Sequence, residues 1–231
     1  MKFSELKSLS RAYVPQAKAS AIDNTLRDII LNEGALDVAF RTMALKTSGD
    51  FDAVADQQFF RKSDYLDRFL LMDQPGLWWN DGNQWKQLIP KTIKWLDERI
   101  PNWRDADSGS PIYYVNRNEF LMVHPSIETA GADILKAYFI QRPATMGSDD
   151  HYPFHEEATQ TEELGHLAPL SELVLMYWEW KALKILGKKE ESFTKRQEYL
   201  AELASVKQQL DANADIMASP KTRLRGRMIG R

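Results

Sequence analysis

The feature that most constrains the fold is a change of apolar period in the middle of the chain. Residues 21–43 carry apolar side chains at alternating gaps of three and four, apart from Glu33, and this spacing predicts a helix. Between residues 51 and 142 the pattern changes to short alternating runs with hairpin signals. Helical periodicity returns over residues 170–186 and 190–212. We therefore predict an α+β protein in which a β-rich insertion interrupts a small helical bundle.

The helical patterns also predict which faces are buried. Residues 170–186 are apolar almost all round, so we expect this helix at the centre of the bundle, with Gly187 as its C-terminal cap. Residues 190–212 form a more exposed helix. In the first helix, Gly34 is a candidate break. The apolar positions that predict this helix are Ile22, Leu26, Ile29, Leu36, Phe40 and Met43.

The insertion contains two predicted hairpins. Asp81-Gly82 lies between tryptophan-rich runs, and this dipeptide suits the positive φ angles of a tight turn. Apolar runs at 112–115 and 120–123 flank a polar turn and predict a second hairpin. A short helix is expected from residue 93 to 100, ended by Pro101, and a strand over 132–141.

These boundaries define the predicted organisation, which includes an extended C-terminal arm. The assigned regions are a helical bundle at 1–50 and 165–212, a β-rich insertion at 51–142, a loop at 143–164, and a basic arm at 213–231.

Composition excludes several classes of protein. The chain has no cysteine, which excludes disulfides and thiolate metal sites and fits a reducing compartment. It has no run of about 18 apolar residues, and its N-terminus lacks the apolar region of a secretory signal. We therefore expect neither membrane insertion nor export by such a signal.

The charge is distributed unevenly. Residues 221–231 carry five cations and no acid, whereas the rest of the chain has 25 cations and 33 acids, a net charge of −8. The acidic body is not expected to bind nucleic acid as a whole, while the basic end can bind an acidic protein surface or nucleic acid.

Few residues indicate a catalytic or metal-binding site. The sequence contains no GxGxxG, Walker A, GxSxG or HExxH motif. His151, His155 and His166 lie near acids, but Pro153 disfavours the regular helix that would align the first two, so we predict no bound metal. The tryptophans of the insertion leave a glycan-degrading enzyme open as an alternative, which would need two carboxylates in one cleft. We expect these tryptophans to pack the hairpins instead.

An ordered set of packing motifs runs through residues 20–212. It comprises Asn32–Ala39, Tyr65–Met72, the Trp-Asn-Asp-Gly hairpin at 79–82, Ile100–Arg104, Gly109–Val115, Val123–Pro125 and Ala137–Pro143. In this order they resemble the head-to-tail adaptor, or connector, proteins of tailed bacteriophages, in which a β-rich insertion interrupts a helical bundle.

The resemblance implies a structural protein that is not an enzyme and needs no cofactor. Such a protein forms a ring of twelve copies in the neck of the virion, between the portal protein and a tail or nozzle protein. DNA passes through the ring without specific binding, no membrane is involved, and assembly occurs in the host cytoplasm. Another virion part, such as a tail-completion protein, remains an alternative.

The resemblance also gives the basic arm a role, because it implies that the C-terminal segment reaches the portal. The predicted portal-docking residues are Lys221, Arg223, Leu224, Arg225, Arg227, Met228, Ile229 and Arg231.

Overall fold

The computed structural model describes residues 1–15, 22–154, 167 and 169–218, with side chains as far as residue 212. The chain divides into two compact units, one of residues 1–42 and 145–231, the other of residues 43–144. We call them the helical unit and the β-rich unit. The elements are α1 (Phe3–Tyr13), α2 (Asn24–Thr42), β1 (Lys46–Ala53), β2 (Phe59–Arg61), α3 (Lys62–Tyr65), β3 (Phe69–Asn80), β4 (Trp85–Gln87), β5 (Ile89–Pro90), α4 (Ile93–Arg99), a 3-10 turn (Trp103–Asp105), β6 (Tyr113–Asn116), β7 (Phe120–His124), β8 (Gly131–Gln141), α5 (Leu170–Ile185) and α6 (Lys189–Ala218).

The α+β class predicted from the sequence is confirmed. None of the described helices is both long and apolar enough to cross a membrane. The predicted C-terminal arm lies largely outside the described residues.

The centre of the helical unit is α5, as the sequence predicts. Trp178 is almost fully buried, and its indole nitrogen donates a hydrogen bond of 2.9 Å to the carbonyl oxygen of Ser10 in α1. Tyr199 of α6 is fully buried, and its hydroxyl donates a hydrogen bond of 2.5 Å to Asp37 Oδ2 in α2. Burial and this hydrogen bond hold the pKa of Tyr199 well above its usual value. These buried hydrogen bonds thus join α5 to α1 and α6 to α2.

Two predictions for this unit are wrong in detail, and one helix was missed. Gly34 does not split α2, which runs unbroken from Asn24 to Thr42. The last helix does not end at residue 212 but continues to Ala218, because the polar residues 211–215 weaken its apolar stripe without breaking its backbone. The helix α1 was not predicted separately, although Phe3, Leu6 and Ser10 recur at helical spacing on its buried side.

The β-rich unit contains two four-stranded sheets with the strand orders β1-β8-β3-β4 and β2-β7-β6-β5. Their facing side chains form one shared core. Its first-sheet members include Phe51, Leu77 and Phe139, and its second-sheet members include Phe60 and Leu121. A smaller cluster lies where α4 and the 3-10 turn pack on the second sheet: Leu96, Trp103, Val115 and Met122.

Both predicted hairpins are confirmed. The antiparallel pair β3–β4 turns at 81–84, with Gly82 at a φ of +91° and Asp81 accepting hydrogen bonds from the backbone of the turn. The pair β6–β7 turns at 117–119. The predicted short helix is α4 and the predicted strand over 132–141 is β8. The first strand begins at Lys46, five residues before its predicted start.

Candidate docking surfaces

One face of α2 presents large apolar side chains to solvent. Ile29 is 50% exposed, Leu36 41% and Phe40 51%, and the side chain of Glu33 on the same face is 53% exposed. Because each residue of an α-helix is rotated by about 100° from the one before, these four residues fall within one narrow stripe of the helix. We call them the α2 outer face. Ile29, Leu36 and Phe40 belong to the apolar spacing from which the helix was predicted, so that spacing follows the exposed face of α2.

The face of α2 that is buried carries smaller side chains. Ile30, Leu31 and Val38 alternate there with glycine and alanine and are almost fully buried. A Cβ atom at Gly34 would lie 3.0 Å from Tyr177 Cδ1 and 3.3 Å from Val174 Cγ1. The absence of a side chain at this position therefore lets α2 approach α5 closely. A run of glycine and alanine at helical spacing was the sequence signal for this face.

A second apolar patch lies at the junction of α5 and α6. Ile185 is 43% exposed and Phe193 is 61% exposed. Gly187 adopts a φ of +76°, and the backbone of residues 187 and 188 donates hydrogen bonds to the last carbonyls of α5, which ends the helix and reverses the chain. Three lysines surround this junction. We define the α5–α6 corner patch as Ile185 and Phe193 with Lys184, Lys188 and Lys189.

The β-rich unit also exposes apolar side chains near both edges of its second sheet, which are β2 and β5. Phe59 and Phe120, on the adjacent strands β2 and β7, are 51% and 39% exposed. On the β5–β6 side, Ile89 and Ile112 are 46% and 50% exposed, and the nitrogen of Ile89 donates to the carbonyl of Ile112. Such surface is typical of contact with other proteins.

The buried amine of Lys62 fixes the turn between β6 and β7. Its Nζ donates hydrogen bonds to the carbonyl oxygens of Arg117 and Asn118, at 2.5 and 3.2 Å, and lies 4.4 Å from the ring centre of Phe69. Burial lowers the pKa of Lys62. This lysine therefore has a structural role in holding the tip of the hairpin.

The tryptophans of the insertion differ in their burial. Trp79 and Trp103 are buried, and the indole nitrogen of Trp103 donates to Asp97 Oδ1 at 2.9 Å. Trp85 is 39% exposed, with Lys136 Nζ 5.5 Å from its ring centre. Buried rings that pack within a core are unavailable for stacking on a sugar.

A cleft of about 380 Å³ beside the first hairpin contains two carboxylates, Asp81 and Glu128. Asp81 Oδ2 lies 2.6 Å from Lys86 Nζ, and its Oδ1 accepts backbone hydrogen bonds from Asn83 and Gln84. The contact with Lys86, followed by these hydrogen bonds, lowers the pKa of Asp81 to about 2. A carboxyl group with this pKa is ionised near neutral pH and is unsuited to the general-acid step of glycoside hydrolysis.

The histidine-containing loop is only partly within the described residues. His151 Nδ1 accepts backbone hydrogen bonds from Gly147 and Ser148, at 3.2 and 3.4 Å. His155 and His166 lie outside the described residues. Among the residues that the structure does describe, no group of three or more His, Cys, Asp or Glu side chains is arranged to hold a metal ion.

The predicted portal-docking residues, from Lys221 to Arg231, also lie outside the described residues. The last described element before them is α6, which ends at Ala218.

The chain matches a known protein family over nearly its full length. A family model described as SU10 adaptor protein matches residues 1–225, which cover the β-rich unit completely and the helical unit except for its last six residues. No curated protein matches the chain.

Proposed function

This chain belongs to the SU10 adaptor protein family, a family of bacteriophage structural proteins, and from this premise we propose that it is a head-to-tail adaptor of the virion neck. The observation that most strongly supports this proposal is that the family match extends over 225 residues. In this proposal the protein catalyses nothing and binds the portal protein on one side and a tail or nozzle protein on the other.

The proposed assembly is a closed ring of twelve copies. One heterologous contact, repeated around an axis, generates a ring when the rotation closes. The exposed apolar side chains in both units support this proposal, because each unit offers surface for such contacts. The isolated chain is expected to be monomeric or weakly associated and to form the ring on the portal.

The ring would leave a channel through which DNA passes. Outside residues 221–231 the chain carries a net charge of −8. A mildly acidic lining would repel the phosphates of DNA, which favours passage over binding. The acidic body therefore supports a conduit without specific DNA contacts.

The basic arm is proposed to dock on the portal. The thirteen residues after Ala218 can span about 45 Å when extended. Their cations can pair with acidic side chains, while Leu224, Met228 and Ile229 can fill small apolar pockets. These apolar residues favour a protein target over DNA. Ordering such an arm costs conformational entropy, so several copies in a ring would strengthen a weak individual contact.

The test is a set of arm variants mixed with the portal protein of the same virus and followed by sedimentation. We expect deletion of residues 219–231 to remove docking while leaving the melting temperature unchanged. Two further variants separate the contributions: the five cations replaced by glutamine, and Leu224, Met228 and Ile229 replaced by serine. Each is expected to weaken docking.

Four other results would change the proposal. Unchanged docking of the deletion variant to both the portal and the tail protein would remove the role of the arm. Failure of the full chain to give a ring-sized complex with portal would refute the adaptor function, and docking only to tail protein would favour a tail-completion role. A steep fall in DNA binding with salt, lost on deletion, would assign the arm to DNA.

A further inference from the structure

The α2 outer face carries three large apolar side chains that the described residues of the helical unit leave about half exposed. The helix carries two apolar faces, and packing within the unit uses only the one that contains Gly34. A helix that is apolar on two sides is typical of an element packed on both. The exposed side chains of Ile29, Leu36 and Phe40 therefore indicate an external occupant.

The area of this face limits what the occupant can be. Three roughly half-exposed side chains of this size leave about 200–300 Å² of apolar surface in water. A stable interface between two proteins buries about 800 Å² on each partner. The face is therefore too small for permanent association by itself, and it suits a contact that is repeated between copies aligned by a larger partner.

The same unit carries a patch that complements it. The α2 outer face has one carboxylate, Glu33, whose nearest cation is Lys181 at 4.0 Å, the limit of an ion pair. The α5–α6 corner patch combines the most exposed aromatic ring of the unit, Phe193, with lysines. Lys184 and Lys189 are exposed and form no ion pair within the described part of the chain.

We propose that the α2 outer face of one copy packs on the α5–α6 corner patch of the next copy. Phe193 then fills the space beside Leu36 and Phe40, and Lys184 or Lys189 approaches Glu33. Because the two patches differ, this contact can repeat from copy to copy, and it generates a ring when the rotation between copies closes. This inference rests on the proposed function, because it supplies the contact between the copies of the ring.

The absence of cysteine from the chain makes a direct test possible, since any disulfide must join introduced residues. Three variants are made: Phe40→Cys, Phe193→Cys and the double variant. Each is assembled on the portal protein, oxidised mildly and run on a non-reducing gel. A control variant combines Phe40→Cys with Val54→Cys, because Val54 is 65% exposed but belongs to the β-rich unit.

We expect the double variant to give a ladder of covalent multimers, and a mixture of the two single variants to give dimers. Neither single variant alone should cross-link, and the control pair should give no ladder. Because Phe40 and Phe193 are exposed, the melting temperature of each variant should remain that of the wild type.

A charge exchange provides an independent readout. Glu33→Lys is expected to reduce the fraction of chain in rings, and combining it with Lys184→Glu and Lys189→Glu is expected to restore part of that fraction. Restoration would require the two patches to meet, since a merely weakened fold would not recover when more charges are changed.

The outcomes separate this inference from the proposed function. Rings of the double variant without a ladder would overturn the contact and leave the adaptor function intact. Dimers from Phe40→Cys alone would indicate a symmetric contact, which also contradicts it. If the wild-type chain forms no ring with portal, both proposals fail.

The basic arm of the same chain is the competing occupant of the α2 outer face. Removal of residues 219–231 from the Phe40→Cys variant should leave its labelling rate with a maleimide unchanged. A clear increase in that labelling rate would show that the basic arm covers the α2 outer face, and would contradict the proposed contact.

Discussion

The two faces of α2 provide a matched pair of leucines for a stability test. Leu31 is fully buried, whereas Leu36, five residues later in the same helix, is 41% exposed. The change Leu31→Ala should cost about 2.7–5 kcal/mol of the free energy of unfolding, from lost burial and the cavity left behind. The change Leu36→Ala should cost only about 1 kcal/mol, because Leu36 is already 41% exposed and its loss leaves no enclosed cavity.

Urea unfolding followed by circular dichroism at 222 nm measures this difference, because the signal reports chiefly on helix. With a slope of about 2 kcal/mol/M, a loss of about 3 kcal/mol lowers the midpoint by about 1.5 M for Leu31→Ala. The midpoint of Leu36→Ala should move by about 0.5 M or less. Equal shifts for the two variants, or a larger shift for Leu36→Ala, would refute the assignment of the two faces and with it the exposed docking surface.

Three further predictions concern single side chains. Trp79→Ala should lower the stability of the β-rich unit by about 3–5 kcal/mol, measured by urea unfolding; an unchanged stability together with lost binding to a cell-wall glycan would favour an enzyme. Asp81 has a folded pKa of about 2, below the ordinary value of 3.8, so the stability it contributes is present above about pH 4 and is lost as pH falls toward 2. Asp81→Asn should therefore melt below the wild type at pH 6, with a gap that closes toward pH 2; a gap independent of pH would contradict the role of the ionised group. Tyr199→Phe should cost about 1–2 kcal/mol through its lost hydrogen bond to Asp37, and should be non-additive with Asp37→Asn in a double-mutant cycle of unfolding free energies, whereas simple additivity would mean that the pair is not coupled.

The sequence predicted the elements whose signals are local. The Asp-Gly turn, the apolar runs of the second hairpin and the stop at Pro101 each act through neighbouring residues, and β3–β4, β6–β7 and α4 follow them. The helix α5 was identified by its apolar circumference, which can be satisfied only at the centre of a bundle. The resemblance to phage adaptor proteins likewise rested on the order of packing motifs along the chain, and the family match confirms it.

Boundaries were less well predicted, because helix ends and strand starts depend on partners as well as on local preference. Residues 211–215 lack an apolar stripe, yet α6 continues through them to Ala218. β1 begins at Lys46 because Lys46 through Phe51 pair with β8, more than eighty residues later in the chain. A strand that begins through such long-range pairing leaves little trace in its own sequence.

The sequence by itself determined that α2 is a helix with apolar residues at helical spacing. Only the tertiary structure decided which of its two apolar faces is buried. Ile29, Leu36 and Phe40 give the stronger periodic signal, since large side chains dominate any measure of hydrophobicity. The face that packs on α5 is instead the one with Gly34, where two helix backbones can approach closely and gain dispersion contacts along their length. Periodicity reports how apolar residues are spaced around a helix, whereas burial depends on the shape of the surface that meets it.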